Sequence, residues 1–204
     1  IQESLLEEYF EPVHNTKDAD LAIVFVESPY GNNGYDGGYN LNKENIDRRN
    51  LESLIEKGQG YEPVSLQYRP YTATSAREES IAGGDPREES NNRSYLGKTA
   101  RTANEADLDN VIQMKEVMGE KPLIVCIRMK HPAVLAELEP YADAILVDFG
   151  VEKRALLDII TGEHEPKGLL PILLPKDMET VEKHCEDIAF DMEPYTDSQG
   201  NTYN

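Results

Sequence analysis

Glu27 and Asp36 are the carboxyl groups whose setting in this 204-residue sequence suits acid–base chemistry. Both lie in the stretch Glu27-Ser28-Pro29-Tyr30-Gly31-Asn32-Asn33-Gly34-Tyr35-Asp36, which follows the apolar run Leu21-Ala22-Ile23-Val24-Phe25-Val26. In open parallel sheets, ligands gather beyond the carboxyl ends of the strands, so a carboxyl directly after such a run stands where a site forms. Each has a plainer reading beside the functional one. Glu27 can simply cap the strand end, and Asp36 can form an Asx-turn with the glycines around it. Arg69 and the acids Glu78, Glu79, Asp85, Glu88 and Glu89 are read first as solvated loop charge. For Tyr30 and Tyr68, ligand stacking competes with ordinary packing, and packing is the expectation.

Other chemistries find less support. Asp148 closes the run Ala144 to Val147 as a phosphoacceptor would in a receiver or flavodoxin-like signalling module. Such a module also needs paired acids after its first strand, whereas Lys17-Asp18-Ala19-Asp20 precedes that strand. No Gly-rich phosphate loop follows any strand, so no nucleotide cofactor is expected. His14, His131, His164 and His184 are dispersed without metal-ligand spacing, and no metal is expected either. Cys126 sits in an apolar run and Cys185 in a polar one, which argues against a disulfide framework.

Charge removes two classes of partner. Twenty Lys and Arg stand against 39 Asp and Glu, a net charge of −19, which repels nucleic acid and anionic membrane surfaces. No apolar run approaches the roughly 20 residues that span a bilayer, so membrane insertion is not expected. Ile1-Gln2-Glu3 lacks both an initiator Met and the basic start of a signal peptide, and the chain reads as a piece of something longer. Any export signal of the parent would lie ahead of Ile1, which leaves the compartment open, an extracellular or periplasmic parent included.

The elements that must position these residues alternate. Asp20 to Val26, Pro122 to Ile127, Ala142 to Val147 and Leu169 to Leu174 are short apolar runs that read as strands buried on both faces. Between them stand helical patterns: Leu108, Val111, Ile112 and Met118 after an Asn104 cap, then Ala155, Leu156, Ile159 and Ile160 ending at Gly162. The alternation implies an α/β three-layer sandwich with a mainly parallel sheet. Pro171 inside the last run cannot donate to a ladder, which makes that run an edge strand, free to run antiparallel. The length fits one domain, 1–204, at roughly 100–200 residues per domain. Residues 28–103 form a long loop insertion holding one helix, Asp47 to Lys57, and seven of the eleven tyrosines. So many aromatics argue for an ordered cover over the carboxyl edge of the sheet rather than a tether.

The stretch Gly162-Glu163-His164-Glu165-Pro166-Lys167-Gly168-Leu169-Leu170-Pro171-Ile172-Leu173-Leu174-Pro175 has a punctuation of its own. With the preceding Leu157-Asp158-Ile159-Ile160-Thr161 it resembles the run A-D-(V/I)-(L/I)-x-G-(D/E)-x-x-P-x-G-(K/R)-L-P-x-x-x-P of the C-terminal α/β sandwich domain of family 3 glycoside hydrolases. Lys121-Pro122-Leu123-Ile124-Val125-Cys126-Ile127 followed by His131-Pro132 is similar to the family's K-P-V-V-V-V-L and R-P. Ala142-Asp143-Ala144-Ile145-Leu146 is similar to its A-D-A-I-L. The resemblance covers Asp18 to Val26, roughly Asn104 to Pro175, and more loosely Tyr195 to Asn204. Where the family carries W-x-P-G-x-E-G-G, this chain has Val147-Asp148-Phe149-Gly150-Val151-Glu152-Lys153-Arg154, without the tryptophan, the proline or the paired glycines.

The resemblance implies the second domain of a retaining, exo-acting β-glycoside hydrolase of β-glucosidase or β-xylosidase type. A barrel domain of the same polypeptide would supply the aspartate nucleophile, and this domain would lean a loop over the shared pocket. Retention needs two carboxyl groups about 5–5.5 Å apart, one attacking and one protonating the leaving oxygen. Glu27, and then Asp36, are the general acid/base candidates the resemblance implies. Tyr30 and Arg69 are its substrate-binding candidates, for a β-linked oligosaccharide or glycoside. A purely structural or dimerisation role, including a homodimer, is the alternative within the same resemblance. The isolated chain is expected to be inactive, because the nucleophile lies outside it.

Overall fold

The structure is a computed structural model that describes residues 2–31, 65–79, 94, 96–168, 170–184, 195–196 and 202–203. The chain divides into two compact units, one of Ile1–Ser28 with Asn104–Leu174 and one of Pro29–Ala103 with Pro175–Asn204. Asp36, the Asp47 to Lys57 segment, Asp85, Glu88 and Glu89 lie outside the described residues.

The first unit is an α/β sandwich built on a parallel sheet. Its elements are α1 (Glu3–Leu6), a short 3-10 turn (Thr16–Asp18) and β1 (Ala22–Glu27), followed after the other unit's residues by α2 (Glu105–Met118). The strands here numbered β4 (Leu123–Arg128) and β5 (Ala144–Asp148) and the helix α3 (Lys153–Ile160) complete it. The three strands run parallel in the order β1-β4-β5. β4, between the other two, buries Leu123, Val125 and Ile127 completely and Cys126 almost so. Two-faced burial, expected of every run, belongs among the described strands to β4. β1 and β5 are the outer strands of this sheet among the described residues and keep most of their side chains half-exposed.

Helix α2 packs against β1 and β4 through a face that buries Leu108, Val111 and Met118. Glu105 and Asp107 in its first turn suit the positive end of the helix dipole, and Lys115 suits the negative end. Asp143 joins two elements at the start of the sheet. Its Oδ2 accepts the Leu123 amide at 2.8 Å and the Lys115 ammonium at 2.9 Å. Helix α3 ends as the sequence predicts, with Gly162 at φ +78°, a backbone that costs glycine nothing. It also holds the chain's beginning. Asp158 accepts from the Tyr9 hydroxyl, and the Arg154 guanidinium grips the Glu8 carboxylate at 2.7 and 3.0 Å.

The run expected as a fourth strand, Leu169 to Leu174, departs from the prediction. Its described residues, 170–174, form no strand, and Leu170 and Leu173 stay 47% and 45% exposed. Pro171 removes a ladder donor, and no described strand lies in pairing position beside it. The apolar pattern was enough for β1, β4, β5, α2 and α3, with the capping glycine marking the end of α3. This one needed a neighbour.

The second unit is described by itself. β2 (Tyr71–Thr72) pairs antiparallel with β3 (Thr99–Ala100), and the Thr72 and Thr99 hydroxyls share a hydrogen bond of 2.8 Å. Helix α4 (Met178–Lys183) is capped by Asp177, which accepts the Thr180 amide at 2.7 Å. From that helix Glu182 accepts the Thr74 and Ser75 amides at 3.1 and 2.6 Å, stitching α4 to the turn after β2. A small antiparallel pair, β6 (Tyr195–Thr196) with β7 (Thr202–Tyr203), closes the chain. Tyr68 is fully buried, and its carbonyl accepts from Thr102 Oγ1 at 2.7 Å, so it packs rather than presents a ring to a ligand.

Candidate functional site

The three strands of the first unit end on charge, and their register sets those charges side by side. Glu27 on β1 pairs with Arg128 on β4, and Arg128 pairs with Asp148 on β5. Strands about 4.7–4.9 Å apart thus carry an acid, a base and an acid across the carboxyl edge of the sheet. At β1 and β4 the apolar run stops where the next side chain, Glu27 or Arg128, reaches at least partly into solvent.

The Glu27 position is fixed by its backbone. Its amide donates to Asp107 Oδ2 at 3.2 Å, and Asn104 Nδ2 donates to the Glu27 carbonyl at 3.1 Å, to Ser28 at 3.3 Å and to Asp107 at 2.9 Å. Asn104 occupies the cap position expected of it, yet its side chain makes no capping bond to α2. It spends its amide on the end of β1 instead. Ser28 continues the same framework: its amide donates to the Arg128 carbonyl at 3.0 Å, and its Oγ accepts from the Lys130 amide at 3.2 Å. The Glu27 carboxylate meets Lys130 Nζ at 3.0 Å, with the side chain 41% exposed.

Asp148 is the buried member of the row, 3% exposed. Its Oδ1 accepts from the Gly150 amide at 2.7 Å, while its Oδ2 has no hydrogen-bond partner among the described residues. Gly150, at φ +101°, leaves room for Arg128, whose guanidinium would lie 3.4 Å from any Cβ there. Lys153, the first residue of α3, holds its ammonium 4.6 Å above the Phe25 ring. Phe25, Val26, Glu27, Asp107, Arg128 and Lys153 together line a cleft of about 240 Å³. On the same sheet, burial pushes the Cys126 thiol up to about 11, with Lys153 opposing and Asp148 adding to the shift. Cys126 is an inert core residue at neutral pH.

The other candidates from the sequence belong to the second unit or lie outside the described residues. Tyr30 is half-buried, and its carbonyl accepts the Ala103 amide at 2.7 Å. Arg69 is half-buried in a turn where its carbonyl accepts from Gln67 Nε2 at 3.1 Å. Glu78 and Glu79 are exposed. That unit has a cavity of about 180 Å³ whose lining includes Tyr71, Arg77, Lys98, Met178 and Glu182. Among the described residues no cluster of His, Cys, Asp or Glu could hold a metal ion, and no helix is long and apolar enough to cross a membrane. Arg128, Lys130, Lys153 and the Asn104–Asp107 clamp were not foreseen as site residues. Applying the strand-end rule to all three runs, as it was applied to β1, would have found Arg128 as well as Asp148.

A parallel α/β sheet with a charged, cleft-bearing carboxyl edge defines an α/β sandwich, and comparison with known proteins says what it is similar to. Over 143 residues, 66% of its length, the chain is 30% identical to β-glucosidase C of Emericella nidulans, of which it covers 22%. Over 85 residues it is 43% identical to the probable β-glucosidase C of Aspergillus flavus and of Aspergillus oryzae, covering 13% of each. The chain is homologous to these β-glucosidases, and the resemblance to family 3 glycoside hydrolases holds. It spans less than a quarter of the relatives' length. No family description matches the chain, and no solved structure does.

Proposed function

We propose that this chain is the C-terminal sandwich portion of a retaining, exo-acting β-glycoside hydrolase, lending a loop and the general acid/base Glu27 to a sugar site shared with a barrel domain. The observation that carries this reading is the partial match: similarity to β-glucosidase C extends over 66% of this chain but only 22% of that protein. A piece of that size leaves ample chain for the domain that holds the nucleophile. Glu27 supports the reading by its place at the carboxyl end of β1, in a cleft that its backbone bonds keep in one position. The partners that follow are the barrel of the same polypeptide and a β-linked oligosaccharide or glycoside. No cofactor or metal is needed, since two carboxyl groups carry the chemistry.

One observation favours a second reading, a structural or dimerisation domain of the same kind of enzyme. Glu27 is bound to Lys130 at 3.0 Å and well exposed, as a residue that merely closes a strand would be. Aryl β-glycoside hydrolysis by the 204-residue chain, and by the chain rejoined to the rest of its parent, tests the shared-site reading. The expected result is no turnover by the chain alone and full turnover by the parent. Turnover that rises in proportion to the isolated chain, after purification from contaminants, overturns it.

A further inference from the structure

We propose that the cleft at the carboxyl edge of the first unit binds the carboxylate or phosphate group of a small ligand, gripped by Arg128 and Lys153. The proposal goes beyond the hydrolytic reading and stands on how the charges around the cleft are engaged. Its acids are already taken. Glu27 is paired with Lys130, and one Asp107 oxygen receives both the Glu27 amide and the Asn104 side chain. Asp148, one strand further, is buried and bonded to the Gly150 amide.

The cations of the lining are not taken. Among the described residues, the Arg128 side chain forms no hydrogen bond or ion pair, and its exposed guanidinium lies over Gly150. Lys153 holds its ammonium over the face of Phe25, and among the described residues that ammonium forms no hydrogen bond or ion pair. Two cations thus line one cleft without a carboxylate partner among the described residues. Arg offers a planar fork that matches a carboxylate or phosphate with two parallel bonds, and Lys adds a point charge beside it. The volume, about 240 Å³, admits one anionic group and part of the ring that carries it. Asp148, whose Oδ2 has no hydrogen-bond partner among the described residues, stands in register with Arg128 on the neighbouring strand, outside the cleft lining.

The test uses the 204-residue chain with glucuronate, glucose 6-phosphate and glucose as probes, followed through the Arg128 Nε–H resonance by NMR. At least one of the two anionic sugars is expected to shift that resonance saturably, while glucose at the same concentration does not. Preference for glucuronate assigns a carboxylate ligand, and preference for glucose 6-phosphate a phosphate. Arg128→Gln or Lys153→Gln should each weaken binding roughly tenfold, the scale of a lost charge-assisted hydrogen bond, followed by calorimetry where the reporter itself is removed. Lys167→Gln, at an exposed cation beyond α3, should leave binding unchanged. Equal response to glucose, no response to either anion, or the same loss in all three variants overturns the proposal.

Discussion

Lys130 Nζ lies 3.0 Å from Glu27 Oε2, so the carboxyl at the end of β1 is matched to a cation two residues beyond the end of β4. An acid/base catalyst must also carry a proton when the leaving group departs, and that requires shielding from water and cations. Within the chain Glu27 is 41% exposed. The proposed role therefore depends on cover from the parent enzyme, and it has a specific kinetic signature. Protonating the leaving oxygen contributes typically ~10²–10⁴-fold, and it matters most for a poor leaving group. Glu27→Gln in the parent should slow disaccharide hydrolysis by that order while sparing a dinitrophenyl glycoside, whose leaving group needs no proton. Asp36→Asn is the companion variant, expected to show this split only if Asp36 holds the role instead. Near-parental disaccharide rates in both variants move the acid elsewhere, to Glu78, Asp85, Glu88 or the barrel.

Asn104 is 6% exposed and divides its amide among two backbone carbonyls and the Asp107 carboxylate. Asn104→Ala removes the donor and leaves those acceptors short of a partner, at a cost of about 1–3 kcal/mol for a buried polar group. Urea denaturation should show that loss as a lower midpoint with an unchanged slope. A variant as stable as the parent chain would mean that water replaces the amide at no cost.

The sheet was legible because its signal is local. Ala22 to Val26, Leu123 to Ile127 and Ala144 to Val147 are continuous apolar runs, and such runs can hide only in a sheet covered by helices. Helix α2 was legible from its spacing, and the end of α3 from Gly162. Leu169 to Leu174 misled because apolar content fixes a wish to be buried, whereas a strand needs a partner ladder that composition does not record. Glu27 was legible as a strand-end acid, but its engagement with Lys130 and Asp107 was not. Those partners lie 103 and 80 residues away in sequence, and only the fold brings them together.

Asp143 gives the first unit an acid-sensitive contact. The Leu123 amide, and then the Lys115 ammonium, hold its carboxyl below the ordinary value of 3.8. A depressed folded value means that the contribution is complete above the unfolded value and fades as pH falls through the folded one. Stability of the parent chain minus that of Asp143→Asn should therefore be constant at neutral pH and shrink below about pH 4. A difference independent of pH down to strong acid would show that the ionised carboxyl contributes nothing.

Tyr71 makes the opposite test in the second unit, at alkaline pH. Burial first, and then a hydrogen bond to the Glu182 carboxylate, push its phenol up to about 12. Glu182 is itself held by the Thr74 and Ser75 amides, so the negative charge beside Tyr71 is fixed by the fold and is lost when α4 detaches. A raised folded value leaves stability untouched below the unfolded value of 10.0 and removes it as pH climbs toward 12, because the phenolate is then better accommodated in the unfolded chain. Tyr71→Phe cannot ionise, so its stability should hold where that of the parent chain falls. Denaturation midpoints from pH 9 to about 12 check this, with the ultraviolet absorbance of phenolate recorded alongside. Parallel alkaline losses in both proteins would assign the transition to the other tyrosines and lysines, and would mean that Glu182 does not face the Tyr71 hydroxyl in solution.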